Sequence, residues 1–209
     1  MLRCATVTQS KLPPKQLSRR LLLIEMINAF LNEETGKLME YHHIMKHPKY
    51  FQLYATSYRK ELGRLAKGIP GKVEGTNTSY FIDKANIPDE RWKDITYGRI
   101  VVAYRLKKSD PYQTRLTVGG NIITYPGDCG TPTVDLLTVK LLLNSIISTL
   151  GAKFITIDKK YFYLNTPMAR YEYMRLKLCN IPEDVTKHYN LATKVKNNGY
   201  VYIEIRRGM

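Results

Sequence analysis

The sequence predicts an α+β fold on three observations. Apolar residues recur at helical spacing in two early stretches. The period then changes to short runs rich in β-branched and aromatic residues. After a Gly/Pro loop, helical and strand-like segments alternate to the end.

The elements follow in order. Residues 1–18 are polar, contain Pro13-Pro14, and read as a flexible lead-in. "RRLLLIEMINAFLNEETGK" (19–37) reads as an amphipathic helix stopped by Gly36. "YFQLYATSYRKELGRLAKG" (50–68) reads as a second helix, with Tyr54, Tyr58, Leu62 and Leu65 at helical spacing. "TSYFIDK" (78–84) and "GRIVVAYRL" (98–106) read as strands. "RLTVGG" (115–120) returns across the Ser-Asp-Pro turn, giving a β-hairpin with a basic tip. Thr131 and Pro132 fit an N-cap and first helical position. "VDLLTVKLLLNSIISTL" (134–150) is apolar on most faces, which predicts a buried helix. "KFITID" (153–158) and "YEYMRL" (171–176) read as strands. "PEDVTKHYNLATKV" (182–195) reads as a surface helix, Asn197-Asn198-Gly199 as a turn, and "YVYIEIRR" (200–207) as the last strand.

Composition bounds the function. The 209-residue chain carries a net charge of +15, so polyanions are natural partners. The densest apolar run, residues 21–31, is interrupted by Glu25 and is too short to span a membrane. No signal peptide is evident, so an intracellular setting, cytoplasmic or nuclear, is expected. Cys4, Cys129 and Cys179 suggest neither a disulfide framework nor a zinc site. His43 and His47 stand four apart but lack a third ligand, and read as surface residues. Gly119-Gly120 lacks the spacing of a phosphate loop.

Asp158 is the residue that asks for an explanation. In strand 153–158 it shares a face with Phe154 and Thr156. A carboxylate in a packed sheet is costly unless paired or bound to a cation. On this strand alone, it reads as a strand-end aspartate that meets solvent or caps a turn.

The order of several stretches changes that reading. "TIDKKYFYLNTPM", "YRLKKSDPYQTRLTVGG", "TVDLLTVKLLLNSIIS", "YEYMRL" and "YVYIEIRRGM" together resemble the copia-type reverse transcriptases of long-terminal-repeat retrotransposons. The resemblance covers roughly residues 50–209. It implies an N-terminal extension over 1–48, a fingers-like region over 49–150, and the start of a palm over 151–209. It implies RNA-directed DNA polymerisation on an RNA template and DNA primer, with Mg²⁺ as cofactor. Asp158 would be the catalytic, metal-binding aspartate. Two-metal phosphoryl transfer needs such carboxylates, because hard cations take oxygen ligands. Arg115 would contact triphosphate oxygens. Tyr163 would gate against ribonucleotides, with Phe162 as the alternative gate. Arg105, Lys107 and Lys108 would add cations for nucleic acid.

The chain departs from the family's pattern. It contains no Asp-Asp pair, which the family places downstream. Phe162 stands where a small residue is usual, and Lys159 where an aliphatic one is usual. The expectation is therefore a polymerase fragment, inactive alone and completed by the remainder of a polyprotein. The alternative is a non-catalytic basic nucleic-acid-binding protein with a polymerase-like shape. A basic scaffold unrelated to polymerases is the third reading.

Overall fold

The computed structural model describes residues 29–32, 35–105, 108–124, 133–195 and 198–209. It is a mixed α+β structure around a curled five-stranded sheet. In chain order the elements are β1 (Phe30–Leu31), β2 (Leu38–Met39), α1 (Tyr41–Ile44), α2 (Phe51–Leu65), β3 (Gly68–Ile69), β4 (Val73–Glu74), β5 (Ser79–Ile82), β6 (Thr96–Tyr104), β7 (Tyr112–Val118), α3 (Leu136–Ser148), β8 (Pro167–Lys177), α4 (Glu183–His188), α5 (Leu191–Lys194) and β9 (Tyr200–Arg207). The sheet order is β5-β9-β8-β6-β7. All its pairings are antiparallel except β6 with β8.

Helix α2 shows why the sheet has a core. Tyr54, Tyr58, Leu62 and Leu65 form one stripe and are almost wholly buried. The stripe lies on β7, where Thr114 donates its backbone N–H to Ser57 Oγ at 2.8 Å. From β6, β7, β8 and β9 come Val102, Leu116, Met174, Val201, Ile203 and Ile205. Burying each such aliphatic side chain contributes about 1.5–3 kcal/mol. Beyond α2 the chain reverses at Gly68, whose φ is +90°. A Cβ there would meet the Val73 carbonyl oxygen at 2.6 Å, so only glycine fits.

Tyrosine does much of the remaining packing. Phe30, Tyr50, Tyr54, Tyr104 and Tyr112 form a chain of ring contacts with centroids 4.9–6.5 Å apart. Burial pushes the Tyr41 and Tyr54 phenols above their ordinary range.

Several expected elements form as read: α2, β5, the β6–β7 hairpin, β8 and β9. The surface helix over 182–195 is two short helices, broken at Asn190 with φ 49°. Three expectations change. The helix over 19–37 does not continue through Phe30, which starts a two-residue antiparallel ladder with Met39 and Leu38; residues 1–28 lie outside the described set. Phe30 packs instead against the Tyr50 and Tyr54 rings. The N-cap of α3 is Asp135, which accepts a 2.8 Å bond from Thr138 N–H, rather than Thr131, which lies outside the described residues. Helix α3 forms but is not buried. Leu136, Leu137, Leu141, Leu142 and Ile147 are all more than half exposed. Among the described residues the segment 153–158 joins no sheet, and Phe154, Ile155 and Ile157 are exposed.

Candidate functional site

The expected site residues divide between a groove and a hairpin tip. Asp158, Arg115, Phe162 and Tyr163 all line one open groove of about 1450 Å³. Its walls come from α2, the 72–77 turn, β7 and the 157–165 segment, with Arg207 of β9. Arg105 and Lys108 sit exposed at the tip of the β6–β7 hairpin, outside the groove lining. Lys107 lies outside the described residues.

Each groove residue is placed by local chemistry. Arg115 alternates along β7 with Thr114 and Leu116, which are buried on the α2 side, so its guanidinium is left exposed. The 158–166 segment is a turn rather than a strand. The Phe162 N–H donates to Lys159 O at 3.2 Å, and the Thr166 hydroxyl donates to Phe162 O at 2.9 Å. Tyr161 takes the left-handed conformation, φ 60°, and the Asn165 amide donates to its carbonyl at 3.0 Å. The Arg64 guanidinium of α2 lies 5.2 Å from the Tyr161 ring centroid. Thr78 closes the far end by donating its hydroxyl to Leu164 O at 2.9 Å.

The backbone at Phe162 and Tyr163 is a helical turn, so the two side chains are not set on opposite sides as in an extended segment. The two rings meet edge-to-face at 5.4 Å, and both line the groove. Lys159 lines it too, with its Nζ 5.7 Å from the Phe162 ring centroid.

The groove is basic. Lys60, Arg64, Lys72, Arg115, Lys159, Lys160 and Arg207 outnumber Glu61, Glu74, Asp110 and Asp158. Lys60 is bonded to Asp110 at 2.7 Å, and Arg64 to Glu61. Sequence reasoning missed Arg64 and Glu61. The available signal was a carboxylate, Glu61, three residues after Tyr58 and four before Leu65 in the apolar stripe of α2; it is only 9% exposed. A charged group in such a position implies a partner or a ligand.

Among the described residues, no three His, Cys, Asp or Glu side chains cluster as metal ligands. Asp158 has two lysines directly after it. Glu61 and Asp110 are paired with Arg64 and Lys60, and no cluster of acidic groups forms around Asp158 among the described residues, so the donors present do not fit a pair of Mg²⁺ ions. His43 and His47 do not share a helix face, since α1 ends at Ile44. The His43 Nδ1 accepts from the Glu40 N–H at 3.4 Å and the His47 Nδ1 from the Lys49 N–H at 3.3 Å, so both cap backbone. No helix of the described residues is long and apolar enough to cross a membrane.

Compared with protein-family models, curated proteins and solved structures, the chain matches none.

Proposed function

We propose that the chain is part of an RNA-directed DNA polymerase of the copia type, inactive by itself. The observation that carries this reading is the convergence of Asp158, Arg115, Phe162 and Tyr163 on one basic groove. Those four came from stretches up to 48 residues apart, between Arg115 and Tyr163. The exposed α3 and the unpaired 153–158 segment support the fragment aspect, because a palm without its partner strands leaves such surfaces uncovered. In this reading Arg115 holds phosphate oxygens and the 162–163 rings form a flat floor under a sugar. The partners are an RNA template and a DNA primer. Mg²⁺ enters only once carboxylates from outside this chain complete the site.

Primer extension tests it in two steps. The isolated chain with Mg²⁺ and deoxynucleotides should extend no primer; templated extension by contaminant-free protein sinks the fragment reading. A chimera carrying a copia-type palm remainder after Met209 should extend it. In that chimera, Tyr163→Ala should raise ribonucleotide incorporation, because a ring under the sugar excludes a 2′-hydroxyl sterically. If Phe162→Ala relaxes sugar selection instead, Phe162 is the gate. If neither does, the assignment at this turn fails.

The second reading is a non-catalytic nucleic-acid-binding protein, favoured by the excess of cations in the groove and the lack of a clustered carboxylate set around Asp158 among the described residues. Here the hairpin cations matter most. Replacing Lys107 and Lys108 together by alanine should flatten the salt dependence of binding by about two units in the log–log slope. An unchanged slope moves the contact surface elsewhere.

A further inference from the structure

The sheet has a second face. Residues opposite one another in register share a face, so Tyr80, Glu204 and Tyr173 lie together, as do Ile82, Tyr202 and Arg175. This side is opposite the one where Met174, Val201, Ile203 and Ile205 form the core. The 84–95 segment covers its middle, with Ile87 packed on Tyr173 and Tyr202. Arg91 fastens that segment down. It donates to Tyr171 O at 3.0 Å and to the buried Glu172 carboxylate at 2.6 Å.

What stays open carries three aromatic–cation groups. The Arg206 guanidinium, whose Nε donates to Glu204 while its other nitrogens stay available among the described residues, lies 4.2 Å from the Tyr80 ring centroid and 5.3 Å from that of Tyr171. Arg175 lies 5.0 Å from Tyr200. On the covering segment, Lys84 Nζ lies 4.2 Å from Trp92. Trp92 is 46% exposed and Tyr171 43%. The Trp92 indole is held in place by donating to Ile87 O at 3.1 Å. None of these residues lines the Asp158 groove.

We propose that this face binds single-stranded nucleic acid, stacking bases on Trp92, Tyr171 and Tyr200 while Lys84, Arg175 and Arg206 meet the phosphates. Interleaved rings and cations are what an unpaired strand needs, since every base has a stackable face and every linkage a charge. A duplex hides its base faces and gains nothing from the rings. The strand from Tyr200 to Arg206 runs about 20 Å, enough for several nucleotides. The net charge of +15 draws the polyanion in. This inference goes beyond the polymerase reading and does not depend on it.

Trp92 is the single tryptophan of the chain, so its fluorescence reports on this face. The experiment titrates the full chain with a short oligothymidylate, following tryptophan emission and, separately, anisotropy of the labelled oligonucleotide. Saturable quenching is expected. Tyr171→Ala should weaken affinity about tenfold and Tyr171→Phe restore it, as loss of one stacking ring predicts. Trp92→Leu should weaken the binding seen by anisotropy. Inorganic polyphosphate, which has charge but no bases, should leave emission unchanged. Lys108→Ala with Arg115→Ala should leave the quenching intact. Absence of quenching, equal quenching by polyphosphate, or affinity indifferent to Tyr171→Ala in a variant with native circular dichroism overturns the proposal. Loss of quenching only with Lys108→Ala and Arg115→Ala also overturns it, while leaving the groove reading standing.

Discussion

Helices α2 and α3 make opposite use of apolar side chains. Helix α2 is the more polar in sequence, yet its Tyr54 and Tyr58 are completely buried. Helix α3 is apolar on most faces, yet contains no buried residue. The difference lies in what each has beside it. The stripe on α2 meets β7, whose Thr114 and Leu116 present a complementary surface. Nothing among the described residues lies over Leu136, Leu137, Leu141, Leu142 and Ile147. Hydropathy sets how much a helix gains from burial; a facing surface decides whether that gain is realised.

The largest expected effect sets the two regions apart by unfolding free energy. Ile203→Ala, in the core under α2, should cost about 2–5 kcal/mol in urea titration. Leu142→Ala on α3 should stay within about 0.5 kcal/mol. A comparable loss at both sites would mean that α3 is covered in solution. A smaller effect sharpens the account of the buried half. Among the described residues the Tyr58 hydroxyl is buried without a hydrogen-bond partner, and burial pushes its pKa well up. Tyr58→Phe removes a desolvated polar atom, so stability should hold or rise by about 1 kcal/mol; a clear loss would reveal a bound water or partner at that hydroxyl.

On the α3 side, Leu142→Glu with Ile147→Glu should lower binding of an apolar fluorescent dye without moving the thermal midpoint. Unchanged dye binding would place the dye-accessible surface elsewhere. The smallest effect is a pH dependence. The Thr138 N–H bond, aided by the Thr138 hydroxyl, holds the Asp135 carboxyl below the ordinary aspartate range. A depressed pKa means the cap is complete above the ordinary range and is lost as pH falls through the lowered value. Helical circular dichroism from α3 should therefore fall first on acidification. Asp135→Asn, which caps without titrating, should remove that early loss.

What could be read from the sequence tracks how local the deciding interaction is. The α2 stripe, the hairpin around Ser109-Asp110-Pro111, and β8 and β9 carry their period in their own residues, and they form as read. Segment 153–158 has the composition of a strand, but a strand exists only through pairing, and no described strand lies beside it. Phe30 lies in a two-residue strand and packs on tyrosines 20 and more positions away, contacts that no local pattern encodes. The four expected residues Asp158, Arg115, Phe162 and Tyr163 line one groove, while the Arg64–Tyr161 contact beside them could not be read from the sequence. That contact joins α2 to a left-handed tyrosine nearly a hundred residues later, and no local pattern encodes it.

The strand order β5-β9-β8-β6-β7 carries a consequence for synthesis. Strand β9 lies between β5 and β8, so Ser79 waits for Ile205 before its ladder can close. A nascent chain that has reached residue 195 holds every other strand of the sheet but lacks the one that joins β5 to it. Until then β5 and β8 present bare edges, the kind that pair with other chains. Closing so long a loop makes for a high contact order, and therefore for slow folding. For this protein β9, not α2, sets when the sheet becomes whole.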